Sequence, residues 1–94
     1  MIAPAVTAVT PLDPYVVRVV FADSEVRDVD IEPLLDGDLF RPLRDPELFS
    51  QVRVDQYGET IVWVNGADLD PDVLYGSRQP TGDPAPRITV PQRA

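Results

Sequence analysis

The stretch Tyr15-Val16-Val17-Arg18-Val19-Val20-Phe21 limits this chain more than any other feature. Its β-branched and aromatic side chains fit a pleated, half-buried surface and lose freedom in a helix, and Pro14 and the polar pair Asp23-Ser24 bound it, so it predicts a strand. Val26-Arg27-Asp28-Val29-Asp30-Ile31 resumes a partly alternating pattern, which makes an antiparallel hairpin across Ala22 to Glu25 the expected pairing. Arg27, Val29 and Ile31 then share one face. A second hairpin is expected from Gln51-Val52-Arg53-Val54 and Thr60-Ile61-Val62-Trp63-Val64, joined by Asp55 to Glu59 with Gly58 available for positive φ. Ala5 to Thr10 reads as an edge strand ended by Pro11 and Pro14.

Prolines mark the helices. A proline at the first helical position gives up an N–H that has no partner there anyway, and an aspartate before it can cap the free amides. Glu32-Pro33, Asp45-Pro46 and Asp70-Pro71 each predict a short helix, the first stopped by Gly37 and the third by Gly76, both suited to a left-handed helix end. The expected class is α+β: a small antiparallel sheet built from two hairpins, with two or three short helices on one face. Residues 1–76 form the single expected domain and residues 77–94 a proline-rich, flexible tail, in which Arg87-Ile88-Thr89-Val90 pairs only if a sheet edge or a partner is offered.

With 94 residues the chain supports one core at most. It has no cysteine, so neither a disulfide framework nor a thiolate metal site reinforces that core. No segment approaches the roughly 18 consecutive apolar residues of a membrane span, and the N-terminus lacks a basic stretch followed by an apolar run, so the expected location is cytoplasmic. The formal net charge is −8. Fifteen acids face five arginines up to Gly76, whereas the remainder has one acid and three arginines. A body this acidic repels phosphate backbones, which argues against direct nucleic-acid binding and favours basic partners.

Histidine, cysteine and lysine are all absent. Their absence removes the commonest general base, the usual nucleophile arrangements, the normal zinc ligands, Schiff-base chemistry and a phosphate-cradling P-loop. Carboxylates remain. Asp68-Leu69-Asp70-Pro71-Asp72 resembles the first half of a calcium loop, but Val73 stands where that loop needs glycine and Gln79 where it needs glutamate. Capping and helix-dipole roles for Asp70 and Asp72 fit better. Asp36 and Asp38 flank Gly37 and could divide acid and base roles only if burial separated their pKa values; turn aspartates are usually solvated. Asp28 and Asp30 alternate with Val29 and Ile31, the pattern of a wet sheet face or an acidic docking surface. Trp63 is expected in the core against Phe21, Phe49 and Leu74.

The order of parts, with a strand ending in Phe-x-Asp, a Pro-Leu-Leu turn, Phe40-Arg41-Pro42-Leu43-Arg44-Asp45, Phe49 and then Trp63-Val64-Asn65-Gly66-Ala67-Asp68-Leu69-Asp70-Pro71-Asp72-Val73-Leu74-Tyr75, resembles the bacterial family catalogued as domain of unknown function 2442. The resemblance runs from about Val9 to Gly76, and the segment beginning at Trp63 is its most specific part. Where such families place Asp-Gly in the first hairpin turn, this chain has Asp23-Ser24. The resemblance implies a small α+β domain, sometimes fused to a helix-turn-helix module and sometimes encoded beside a second small protein in a toxin–antitoxin-like pair. It implies no catalytic residues.

Val16 and Val20, and likewise Val62 and Val64, are apolar opposite Val17, Val19, Ile61 and Trp63. A small two-layer domain leaves one sheet face wet, so strands apolar on both faces imply a cover: a helix, the tail or another chain. The expected function is therefore a non-enzymatic protein-interaction domain, antitoxin-like or regulatory, that binds a protein partner or itself through Val16, Arg18, Val20, Val62 and Val64. No catalytic, metal or cofactor site is assigned. The alternatives are a carboxylate-based small-ligand or divalent-metal domain using Asp68, Asp70 and Asp72, and a sensor domain related to helix-turn-helix regulators.

Overall fold

The computed structural model describes residues 3–55, 57, 59–76 and 85–91. Seven strands run in the order β1 (Val6–Leu12), β2 (Val16–Phe21), β3 (Val26–Asp30), β4 (Arg53–Asp55), β5 (Thr60–Val62), β6 (Asp68–Leu69) and β7 (Arg87–Thr89). Two helices, α1 (Pro46–Phe49) and α2 (Pro71–Tyr75), and two 3₁₀ turns, Glu32–Leu34 and Arg41–Arg44, fill the connections. The α+β class and both expected hairpins are present.

The single sheet is not. β1-β2-β3-β7 make a four-stranded antiparallel sheet and β4-β5-β6 a separate three-stranded one. The first hairpin has both edges taken, by β1 on one side and β7 on the other, so the second hairpin finds its extra strand locally in β6. β1 links the two sheets. Its register against β2 shifts between Val6 and Ala8, and before that bulge the Val6 N–H leaves the ladder to donate to the Glu59 carbonyl at 3.1 Å. Pro11 does not end β1: the strand continues to Leu12 with Pro11 opposite Val17, tolerated because β1 is an edge.

The boundary drawn at Gly76 also needs correction. Arg87–Thr89 pairs with β3, with Val29 opposite Ile88, and so belongs to the main sheet. β3 offers an open edge, and Ile88 packs against the buried cluster, which is the condition under which the sequence let this segment pair. The intervening residues 77–84 lie outside the described residues, as does Gly58.

Two of the three proline turns behave as expected. Asp45 caps α1 by accepting the Glu47 N–H at 3.0 Å, and Asp70 caps α2 by accepting the Asp72 N–H at 2.8 Å. Gly76 ends α2 at φ 91°, the left-handed conformation a side chain resists. Glu32-Pro33 makes only a 3₁₀ turn, without a side-chain cap, and Gly37 is not left-handed; the Gly37 N–H instead continues the turn by donating to the Leu34 carbonyl at 3.2 Å.

The core lies between the two sheets. Val17, Val19, Phe21, Val29 and Ile31 meet Leu43, Phe49, Ile61, Trp63, Ala67 and Leu74. Trp63 contacts Phe49 with ring centroids 6.0 Å apart and Phe40 edge-on at 6.3 Å, and its indole N–H donates to the Phe49 carbonyl at 3.0 Å. Phe21, expected beside it, packs edge-on against Tyr75 at 4.8 Å.

Candidate functional site

The outward face of the larger sheet holds three of the residues singled out from sequence. Cross-strand rows place Val20 between Ala8 and Val26, Arg18 between Thr10 and Asp28, and Val16 between Leu12 and Asp30. Arg18 grips Asp28 with two hydrogen bonds, Nε to Oδ1 at 2.8 Å and Nη2 to Oδ2 at 2.9 Å. These bonds first, and the opposite charges second, hold Arg18 above its usual pKa; the same hydrogen bonds hold Asp28 below the ordinary carboxylate range. Arg87 of β7 adds a second ion pair, 3.2 Å from Asp30.

This face is thus a wet, ion-paired surface. Val16 and Val20 are half-buried on this face. Val62 is half-buried on the smaller sheet, and Val64, 54% exposed, follows the end of β5 in a turn. The five residues do not form one surface: two sheets divide them, because the period-two rule relates residues within a strand and carries no information on which sheet a strand joins.

A different surface draws apolar and acidic groups together. Residues 33–40 form one wall of a groove of about 410 Å³, and Asp68, Leu69, Asp70 and Val73 form the other. Leu34, Phe40, Leu69 and Val73 supply apolar lining; among the described residues Asp36, Asp38, Asp68 and Asp70 supply every charge of the lining, and none of it is basic.

Local chemistry shapes both walls. Successive i to i+3 bonds curl the first, with the Leu34 N–H on Ile31 O at 2.8 Å and the Phe40 N–H on Gly37 O at 3.1 Å. Asn65 holds this wall to the β5–β6 turn: its Nδ2 donates to the Leu39 carbonyl at 3.0 Å while its Oδ1 accepts the Ala67 N–H at 3.1 Å. Leu39, itself part of the groove lining, is left 50% exposed. In the second wall, β6 leads into the Asp70 cap, which sets α2 and buries Val73.

The four aspartates differ in what already holds them. Asp36 is paired with Arg44, and Asp70 caps α2. The side chains of Asp38 and Asp68 make no hydrogen bond or ion pair among the described residues. Asp72, the third member of the suspected metal triplet, accepts the Ala3 N–H at 2.6 Å. Among the described residues no group of three acids converges on a possible metal position. The sequence singled out Asp36, Asp38, Asp68 and Asp70 as two separate turn clusters; their meeting across one groove had no local signal. Leu39 was missed, since an isolated apolar residue between Asp38 and Phe40 resembles ordinary core.

Fold and groove together define a small two-sheet α+β domain whose notable surface is an apolar groove edged by carboxylates. A family model described as Protein of unknown function (DUF2442) matches residues 6–80, and the chain belongs to that family. No curated protein and no solved structure matches it. Among the described residues no helix is long and apolar enough to cross a membrane.

Proposed function

We propose that this chain is a non-enzymatic protein-interaction domain that receives a segment of a second protein in the groove between residues 33–40 and the β6–α2 wall. The observation that carries the reading is the composition of the groove: apolar lining with an all-acidic edge and no nucleophile–base pair within it. A net charge of −8 supports it by drawing basic partners and repelling phosphate backbones. In its finer form the domain acts as an antitoxin-like or regulatory partner that covers a basic surface on a cognate small protein; the family resemblance and the acidic charge support this form.

Photo-crosslinking in the native host tests the reading. A benzophenone side chain replaces Leu39 in the groove lining or, separately, Thr10 on the outer face of the larger sheet. Position 39 should capture one defined protein and position 10 should not. Capture from position 10 alone, or from neither, overturns the assignment.

A further inference from the structure

We infer that the groove takes a short segment of the partner carrying one large apolar side chain flanked on both sides by arginine or lysine. The inference rests on the interaction-domain reading and adds the chemistry of the occupant. A volume of about 410 Å³ is near the lower end of the range for small-ligand sites, roughly 300–1,000 Å³, and suits one or two side chains rather than a whole helix. Its apolar lining from Leu34, Phe40, Leu69 and Val73 calls for an apolar anchor.

The flanks follow from the two carboxylates whose side chains have no partner among the described residues. Asp38 lies on one wall and Asp68 on the other, and among the described residues no basic lining residue neutralises either. A neutral apolar occupant would strip water from both and return nothing, whereas a cation on each side of the anchor restores the lost solvation with a charge-assisted bond. Asp36 and Asp70 already have partners within the fold, so two cations are sufficient. An acidic segment meets like charge on both walls.

The test is an ¹⁵N NMR titration with three capped peptides: Gly-Arg-Phe-Arg-Gly, Gly-Glu-Phe-Glu-Gly and Gly-Arg-Gly-Arg-Gly. The first should give saturable shifts at Leu39, Leu69 and Val73, and the other two should give little. The D38N/D68N double variant, altered only at exposed positions and checked for an unchanged spectrum, should bind the first peptide about 5-fold more weakly, the effect of losing two exposed ion pairs. Its binding should also depend less on salt. Equal binding of the glutamate or glycine peptide, unchanged affinity in D38N/D68N, or shifts centred on Arg18 and Val20 overturns the inference. The two claims fail separately: a crosslink from position 39 to a segment lacking basic flanks sinks the occupant and leaves the interaction domain standing. Peptide binding without any crosslinked protein overturns the interaction domain, and the occupant inference with it.

Discussion

Ser24 and Gly66 occupy the same place in two hairpins built alike. In the first, the Ser24 N–H donates to Phe21 O at 2.9 Å, the Phe21 N–H to Glu25 O at 2.9 Å, and Asp23 Oδ1 accepts the Glu25 N–H at 3.0 Å. In the second, the Gly66 N–H donates to Trp63 O, the Trp63 N–H to Ala67 O, both at 2.9 Å, and Asn65 Oδ1 accepts the Ala67 N–H at 3.1 Å. Ser24 has φ 72° and Gly66 φ 86°, so the serine carries a strain the glycine avoids. Gly66→Ala should lower stability by about 1 kcal/mol. Thermal melts followed by circular dichroism would show the lowered midpoint, and an unchanged or raised midpoint for Gly66→Ala would refute the need for a left-handed residue at this place.

Asp23 has a second role that depends on pH. The Tyr75 hydroxyl donates to its Oδ2 at 2.6 Å, and Arg27 lies over the Tyr75 ring at 4.6 Å, so the end of α2 is latched to the first hairpin turn. The hydrogen bond, as the largest cause, lowers the Asp23 pKa and raises that of Tyr75. A depressed carboxylate adds stability that is present above its unfolded value and lost as pH falls through the folded one; a raised phenol adds stability present below its unfolded value and lost as pH rises through the folded one. Tyr75→Phe should therefore destabilise at neutral pH and converge with the parent at both extremes. A carboxyl-detected NMR titration should find the Asp23 pKa higher in the variant, and an unmoved value would show that the latch is absent in solution.

Trp63, 1% exposed, joins packing to a buried hydrogen bond. Replacing it with phenylalanine leaves the Phe49 carbonyl only the longer bond from the Val52 N–H at 3.4 Å and a partial void beside Phe40, for an expected loss of about 2–3 kcal/mol. Trp63→Ala should cost about 3–5 kcal/mol, a large share of the roughly 5–15 kcal/mol that holds an ordinary domain folded. Urea unfolding followed by circular dichroism measures both.

Ile88 tests the C-terminal strand. It sits opposite Val29 and packs half-buried against the core, so Ile88→Ala should cost about 1–2 kcal/mol. Amide exchange should quicken in β3 and remain as before in β5, because only the larger sheet loses an edge. Uniform quickening in both sheets, or none in β3, would contradict the pairing.

What could be read along the chain was local. The alternation through Val16 to Phe21 specified which side chains enter the core, and Val17, Val19 and Phe21 are buried there. Asp45-Pro46 and Asp70-Pro71 announced α1 and α2, since a cap and the amide it satisfies are two residues apart. The β5–β6 turn was legible too in principle, as Asn65-Gly66 is a strong turn pair, but a two-residue β6 offers no periodicity to detect.

Periodicity and capping act over a few residues, and for that reason strand faces, hairpin positions and helix starts were determined by the sequence alone. Tertiary structure alone decided that β7 would join β3, that the valines at 16 and 62 would lie on separate sheets, and that Asp38 and Asp68 would share a groove. Each of those outcomes depends on which edges and apolar surfaces remain open once the hairpins have formed, a competition among distant segments that no short stretch of sequence encodes.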